Sequence, residues 1–227
     1  MINSPQAASL FDTPVIVDQM PGAEALNEEF KRLILDRRSA DSGIKLSNVG
    51  GWHSDTGMLR WGGGGALHLV KRVVAAADAF TVDIRASGKA RFRWVPEMWA
   101  NVSEGGASNQ FHTHPGAYWS AVYYVDDGYG GSDDQGLGGE LVLLDPRMPM
   151  IRMAAPDLRF RRPGQQPDDQ EKWFRPKSGM IVIFPGWLSH SVRPYNGTGQ
   201  RISIAINLSA AALPGGAQED EEKGQGK

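Results

Sequence analysis

The run of apolar and polar positions divides the chain into a helical first part and a strand-rich second part. Residues 10–17, Leu-Phe-Asp-Thr-Pro-Val-Ile-Val, read as a first strand interrupted by Pro14, hence an edge strand. Leu26, Phe30, Leu33 and Ile34 recur at helical spacing, with Glu28, Glu29, Lys31 and Arg32 facing away. This predicts an amphipathic helix that ends in the polar stretch Arg37 to Ser42. The Gly/Ser/Asp-rich stretch from Gly50 to Gly65 reads as loop and carries Trp52, His53 and Trp61. A second helix follows, whose buried stripe is Leu69, Val70, Val73, Val74, Ala77 and Phe80.

From Ala90 onward the period changes from helical to alternating. Arg91 to Val95, Glu97 to Val102, Ala117 to Val125, Glu140 to Leu144, Met180 to Phe184 and Ile202 to Leu208 are rich in aromatic and β-branched residues and predict strands. Two helices followed by regularly punctuated strands argue for an α+β, mainly β fold, with N-terminal helices buttressing a β-sandwich. We expect one catalytic domain over 1–213, with helical support at 20–85 and a β core at 90–210. The polar, glycine-rich stretch 214–227 predicts a disordered tail. Asp126 to Gly139 and Arg161 to Arg175 are long polar connections, the kind that serve as substrate lids.

Composition narrows the setting. With 227 residues the chain is long enough for one sizeable core, and a net charge of −2 argues against a nucleic-acid partner or an anionic membrane. No apolar run approaches the roughly 20 residues needed to span a bilayer. No secretory signal is evident, and the default expectation is a soluble cytoplasmic protein. Zero cysteines removes disulfides, thiolate metal sites and cysteine nucleophiles together.

Candidate chemistry gathers on histidine. The chain has five. Two stand in Phe111-His112-Thr113-His114-Pro115, and a third, His190, ends a distant apolar run. In a strand, residues i and i+2 share a face, so His112 and His114 can converge on one metal ion that His190 completes. Such a site leaves coordination positions open and reads as a mononuclear metal enzyme, an iron oxygenase foremost. A buried imidazole needs a partner for each ring nitrogen, which makes a purely structural histidine pair costly. His53 and His68 lack a comparable setting.

The stretches FHTHPGAYWSAVYYV and GMIVIFPGWLSHSVRPYNGTGQRISIAINLS resemble the iron(II)- and 2-oxoglutarate-dependent oxygenases, and more narrowly a family of uncharacterised bacterial and phage members. The similarity covers roughly residues 90–210. It implies a double-stranded β-helix, or jelly roll, with helices packed on one sheet. It also implies Fe(II) as the metal, with 2-oxoglutarate and dioxygen as co-substrates and hydroxylation as the commonest outcome. Carried over, His112 and His190 match the metal histidines, and His114 stands where most members have Asp or Glu. Glu140 and Asp145 are the rival sources of a carboxylate. Arg201 and Ser203 match the pair that grips the distal carboxylate of 2-oxoglutarate, a bidentate, charge-assisted contact. One of Tyr123 and Tyr124 faces inward by alternation; Tyr123, with Asn207, is taken to complete that pocket.

Two other readings compete. A cupin-type metalloenzyme would add a glutamate near Tyr118 and Trp119 and would give Arg201 no role. A non-catalytic jelly-roll binding protein would leave all three histidines structural. The substrate, a small molecule or a protein side chain, is not legible, and a homodimer is one arrangement the sequence allows.

Overall fold

The computed structural model describes residues 10–85, 90–148, 150, 153, 155–159 and 169–214. Among the described residues, eleven strands form two antiparallel sheets. The larger contains, in spatial order, β1 (Ile16–Gln19), β9 (Met180–Pro185), β6 (Trp119–Asp126), β11 (Arg201–Ala212), β4 (Phe92–Ser103) and β3 (Trp52–His53). The smaller contains β2 (Asn48–Val49), β5 (Ser108–His112), β10 (His190–Val192), β7 (Leu141–Leu144) and β8 (Glu171–Phe174). This is the mainly-β, α+β sandwich that the change of period predicts; β1 is an edge strand, but it begins at Ile16, after Pro14, rather than spanning 10–17.

Alternation along the central strands builds two interiors. On β11, Ile202, Ile204, Ile206 and Leu208 are fully buried on the helical side, together with Trp119, Ala121, Tyr123 and Val125 of β6 and Met98, Ala100 and Val102 of β4. Against them pack Phe30 and Ile34 of α1 (Ala23–Ala40) and Leu69, Val73 and Ala77 of α3 (Gly63–Ala79). Burial of this continuous apolar face is the main stabilising contribution, at about 25 cal/mol per Å² removed from water. The helices approach closely at Gly65, where a Cβ would stand 2.7 Å from Leu26 Cδ1. Between the sheets, Tyr124, Leu141, Leu143, Val182, Phe184 and Leu188 form a second, smaller apolar cluster.

Several expectations change. The predicted loop Gly50 to Gly65 contains β3 and the short helix α2 (Met58–Trp61). Residues 171–174 of the predicted Arg161 to Arg175 connection form β8, paired with β7, whereas 161–168 lie outside the described residues, as does the expected tail beyond Pro214. The other connection, Asp126 to Gly139, is tied down: Tyr195 Oη donates to Gly128 O at 2.6 Å and Tyr129 Oη to Gly138 O at 2.7 Å. It packs behind Arg201, since Cβ atoms at Gly128 and Gly139 would come 3.1 and 3.3 Å from that side chain. It therefore backs the Arg201 side chain. Among the described residues no helix is long and apolar enough to cross a membrane.

Candidate metal centre

A cavity of about 390 Å³ opens between the sheets. Its deep end is lined by Tyr124, Arg201 and Ser203, all fully or nearly fully buried, and its mouth by the exposed Leu46, Thr56, Glu97 and Thr113. His112, His114 and His190 line the middle. One ring nitrogen from each lies within 4.8 Å of the others, the spacing that a single ion could bridge.

Each histidine arrives by a different route. His112 ends β5 and His190 starts β10, and the two are direct register partners across those strands. Their ring centroids stand 4.3 Å apart. His114 departs from the sequence expectation, because β5 ends at His112 and the i, i+2 strand geometry does not extend to His114. A turn after Thr113 carries it inward instead. His114 N–H donates to Gly186 O at 2.8 Å, and Gly186 N–H donates to Tyr118 O at 3.0 Å. Gly186 thus fastens both ends of the turn.

Hydrogen bonding sets how the imidazoles present themselves. His112 Nδ1 lies 2.7 Å from Gln110 O, and His190 Nδ1 lies 2.8 Å from Leu188 O. A carbonyl can only accept, so each Nδ1 carries the proton and each Nε2 offers its lone pair to the cavity. His114 Nε2 stands 3.2 Å from His190 Nε2. Burial, with His112 nearby as a smaller influence, holds His190 down to about 3 and His114 to about 4, and burial lowers His112 as well. All three are neutral near pH 7, the form in which histidine binds metals.

The rival carboxylates stand elsewhere. Glu140 is buried in ion pairs with Arg193 at 3.1 Å and Arg175 at 3.6 Å. Asp145 binds Arg147 at 2.6 Å, turning the corner after β7. Among the described residues the cluster contains histidine alone. Nor is a cupin-type glutamate position available. Trp119 packs in the helix-side core and donates to Thr81 Oγ1 at 2.9 Å, while Tyr118 is exposed and leans on Trp94.

The deep end holds the other chemistry. Arg201 is 2 % exposed, yet its Nε and Nη2 find no hydrogen-bond partner, and neither does Tyr124 Oη. An uncompensated buried guanidinium is costly, so the site is built for an anion; a carboxylate fits by geometry and charge. Ser203, next but one along β11, lines the same cavity and adds a hydroxyl donor.

Tyr123 is corrected. Its ring packs edge-on against Phe30 at 6.1 Å and its hydroxyl donates to Asn27 Oδ1 on α1, so it belongs to the helix side. The inward tyrosine is Tyr124. Asn207 lines the cavity but touches Ser120 and His114 rather than lying beside Arg201. Sequence reasoning missed two wall residues. His53 is buried and stacks on Trp99, with ring centroids 5.5 Å apart, and Glu97 is the acidic side chain among the lining residues. A strand of two residues leaves no periodicity from which His53 could be found. His68, in contrast, is exposed on α3.

Comparison with known proteins agrees with this geometry. Residues 97–207 match the family described as "Putative 2OG-Fe(II) oxygenase". No curated protein sequence matches the chain. Among solved structures, a Trichoplax adhaerens prolyl hydroxylase, in complex with a peptide fragment of the hypoxia inducible factor oxygen degradation domain, is similar with a TM-score of 0.58 at 13% identity, over 86% of this chain and 83% of that one. A Pseudomonas putida prolyl-4-hydroxylase reaches 0.56 at 16% identity, over 87% and 92%. HygX from Streptomyces hygroscopicus, with nickel and 2-oxoglutarate bound, reaches 0.57 at 12% identity, over 87% and 83%. These likenesses show a common double-stranded β-helix. Residues 97–207, which carry the histidines, Arg201 and Ser203, are similar to the 2OG-Fe(II) oxygenases.

Proposed function

We propose that this iron(II)- and 2-oxoglutarate-dependent dioxygenase holds its metal through His112, His114 and His190. In the same reading, 2-oxoglutarate is gripped at Arg201 and Ser203, and a substrate C–H bond is hydroxylated at the Leu46–Thr56–Glu97–Thr113 mouth. The observation that carries this reading is the pairing, in one cavity, of three convergent imidazoles with a buried guanidinium whose Nε and Nη2 have no hydrogen-bond partner. Iron(II), with 2-oxoglutarate and dioxygen, supplies the oxidation of a C–H bond, with succinate and carbon dioxide as co-products.

The chain's own residues bind, orient and exclude. His112 and His190 present fixed lone pairs because Gln110 O and Leu188 O hold their Nδ1 protons. Arg201 and Ser203 fix the co-substrate's far carboxylate, and Tyr124 Oη, buried beside them, adds a donor. Phe184, whose ring lies 4.7 Å from that of His190, and Leu141 line the cavity and limit water around the reacting atoms. Trp99, 5.8 Å from His114 and stacked on His53, forms a rigid wall against which the substrate is positioned. Both a protein side chain and a small molecule fit such an open mouth. The reducing cytoplasm, which keeps iron in the ferrous state, is the compartment that suits this chemistry.

The test is metal analysis of the purified protein, followed by aerobic conversion of 2-oxoglutarate to succinate with added iron(II). We expect one metal per chain and iron-dependent succinate formation. Absence of metal binding together with absence of any 2-oxoglutarate-dependent thermal shift would overturn the reading.

A further inference from the structure

The intersheet cavity carries opposite charges at its two ends. On β4, Met98, Ala100 and Val102 are buried against the helices, so Glu97, Trp99 and Asn101 face the other way and line the cavity. Asn207, Ala205 and Ser203 stand in register with them on β11, and Arg201 lies one pair deeper, opposite Ser103. Among the described residues, Arg201 and Glu97 are the two fully charged side chains on the cavity wall. The strand between their register positions spans about 20 Å. The deep cation is matched to a co-substrate carboxylate. The mouth carboxylate has no such match within the protein, since Glu97 forms no ion pair with any other described residue. Yet it stands close to the chemistry. Its register partner Asn207 touches His114, and neighbouring strands lie only about 4.8 Å apart. Trp99, next but one along β4, has its ring centroid 5.8 Å from that of His114. Thr56, which shares the mouth, is fixed beside Glu97 by the bond from Met98 N–H to Thr56 O at 3.3 Å.

We propose that the substrate oxidised here is an aliphatic ammonium compound, with its cationic head on Glu97 and its carbon arm along Trp99 toward the three histidines. This rests on the reading of the cavity as an oxygenase site. An alkyl ammonium is charged at neutral pH and offers three N–H donors, for which the Glu97 carboxylate and the Thr56 hydroxyl are acceptors. The Trp99 indole gives the methylenes an apolar surface and attracts the cation. The same carboxylate repels anions from the mouth, so an anionic substrate is disfavoured there. A free amine and a lysine side chain share this head group.

The experiment compares matched probes on the full chain loaded with Mn(II) and 2-oxoglutarate, using calorimetry for binding. Pentylamine is set against pentanol, and a capped Gly-Lys-Gly peptide against the same peptide with norleucine. In the iron-loaded protein, stimulation of succinate formation by the same four probes is the second readout. A charge-assisted hydrogen bond at a partly solvated site predicts about tenfold tighter binding of the cationic member of a pair. Glu97→Gln should erase that advantage, and added salt should weaken the cationic probes but not the neutral ones. An advantage for pentylamine assigns a free amine, and an advantage confined to the peptide assigns a lysine side chain. Equal binding within both pairs, or an advantage undiminished in folded Glu97→Gln, overturns the inference and leaves the oxygenase reading standing, provided that the parent binds 2-oxoglutarate. A parent that binds neither metal nor 2-oxoglutarate overturns both. Should Glu97→Gln not fold, the salt response of the parent decides: a cationic advantage indifferent to salt overturns the inference.

Discussion

The guanidinium carbon of Arg201 stands 5.1 Å from the centroid of the Tyr124 ring, and both side chains are buried with polar atoms that have no partner. A buried charge left in this state stores a cost that only an anionic ligand relieves. Arg201→Ala should therefore weaken 2-oxoglutarate binding by roughly 100-fold or more, about 3 kcal/mol, while metal content is unchanged. Arg201→Met should in addition raise the unfolding midpoint of the ligand-free protein, because an apolar side chain of similar length removes an unpaired charge. Calorimetric titration with 2-oxoglutarate and a thermal melt check the two halves separately.

Gly186 offers a different lever on the same cavity. A Cβ at this position would strike the carbonyl oxygen of Ala117, within the turn that carries His114. We expect Gly186→Ala to displace that turn, lowering metal affinity by about tenfold or more. The helix-side core, which lies on the opposite face of the larger sheet, should be little affected. A near-parental melting temperature alongside weakened Mn(II) binding is the expected pair of readings. Undiminished binding would show that the turn absorbs the methyl group.

Acid should act on the metal-free protein through its histidines. In the unfolded chain they titrate near 6.5, whereas burial holds His190 to about 3 and His114 to about 4 in the fold. Between these limits the unfolded state binds more protons, so stability is complete above about pH 6.5 and declines as pH falls toward 4 to 3, where the folded histidines protonate as well and the loss levels off. Urea midpoints at several pH values measure the slope. His190→Leu should flatten it.

Glu140 should matter for folding and not for metal. Its carboxylate is 3 % exposed and closes ion pairs to Arg193 and Arg175. Glu140→Ala leaves Arg175 without this partner and should cost about 3 kcal/mol, the low end for a broken buried pair because Arg193 is partly solvated. Metal stoichiometry should remain that of the parent. Loss of the metal in a folded Glu140→Ala protein would instead return this residue to the list of ligands.

Legibility from sequence followed the contrast between neighbours. β11 alternates Arg201, Ser203, Ala205 and Asn207 with Ile202, Ile204, Ile206 and Leu208, so its two faces could be read directly, and Arg201 and Ser203 do line the cavity. On β6 the pair Tyr123 and Tyr124 offers no such contrast. Both are aromatic, both bear a hydroxyl, and both are fully buried, one toward the helices and one toward Arg201. His112 and His190 were foreseeable as partners of an ion, but their direct pairing across β5 and β10 depends on strand register, which short polar strands do not encode. His114 was expected on the same strand face as His112; the turn fastened by Gly186 delivers it by tertiary contact. His53 sits in a two-residue strand too short for a period to emerge, and β8, Glu-Lys-Trp-Phe, shows neither alternation nor an apolar run.

The alternation on β11 has a consequence for endurance. This strand lies inside the larger sheet, hydrogen-bonded on one edge to β4 over twelve register pairs and on the other to β6. Backbone amides in such a position exchange with solvent only when the whole domain opens. Arg201, Ser203 and Asn207 are therefore welded to the slowest-opening part of the molecule, and partial fraying at the edges, at β1 or β3, can come and go without dismantling them. Heat or denaturant should therefore abolish 2-oxoglutarate binding at Arg201 and Ser203 only with global unfolding.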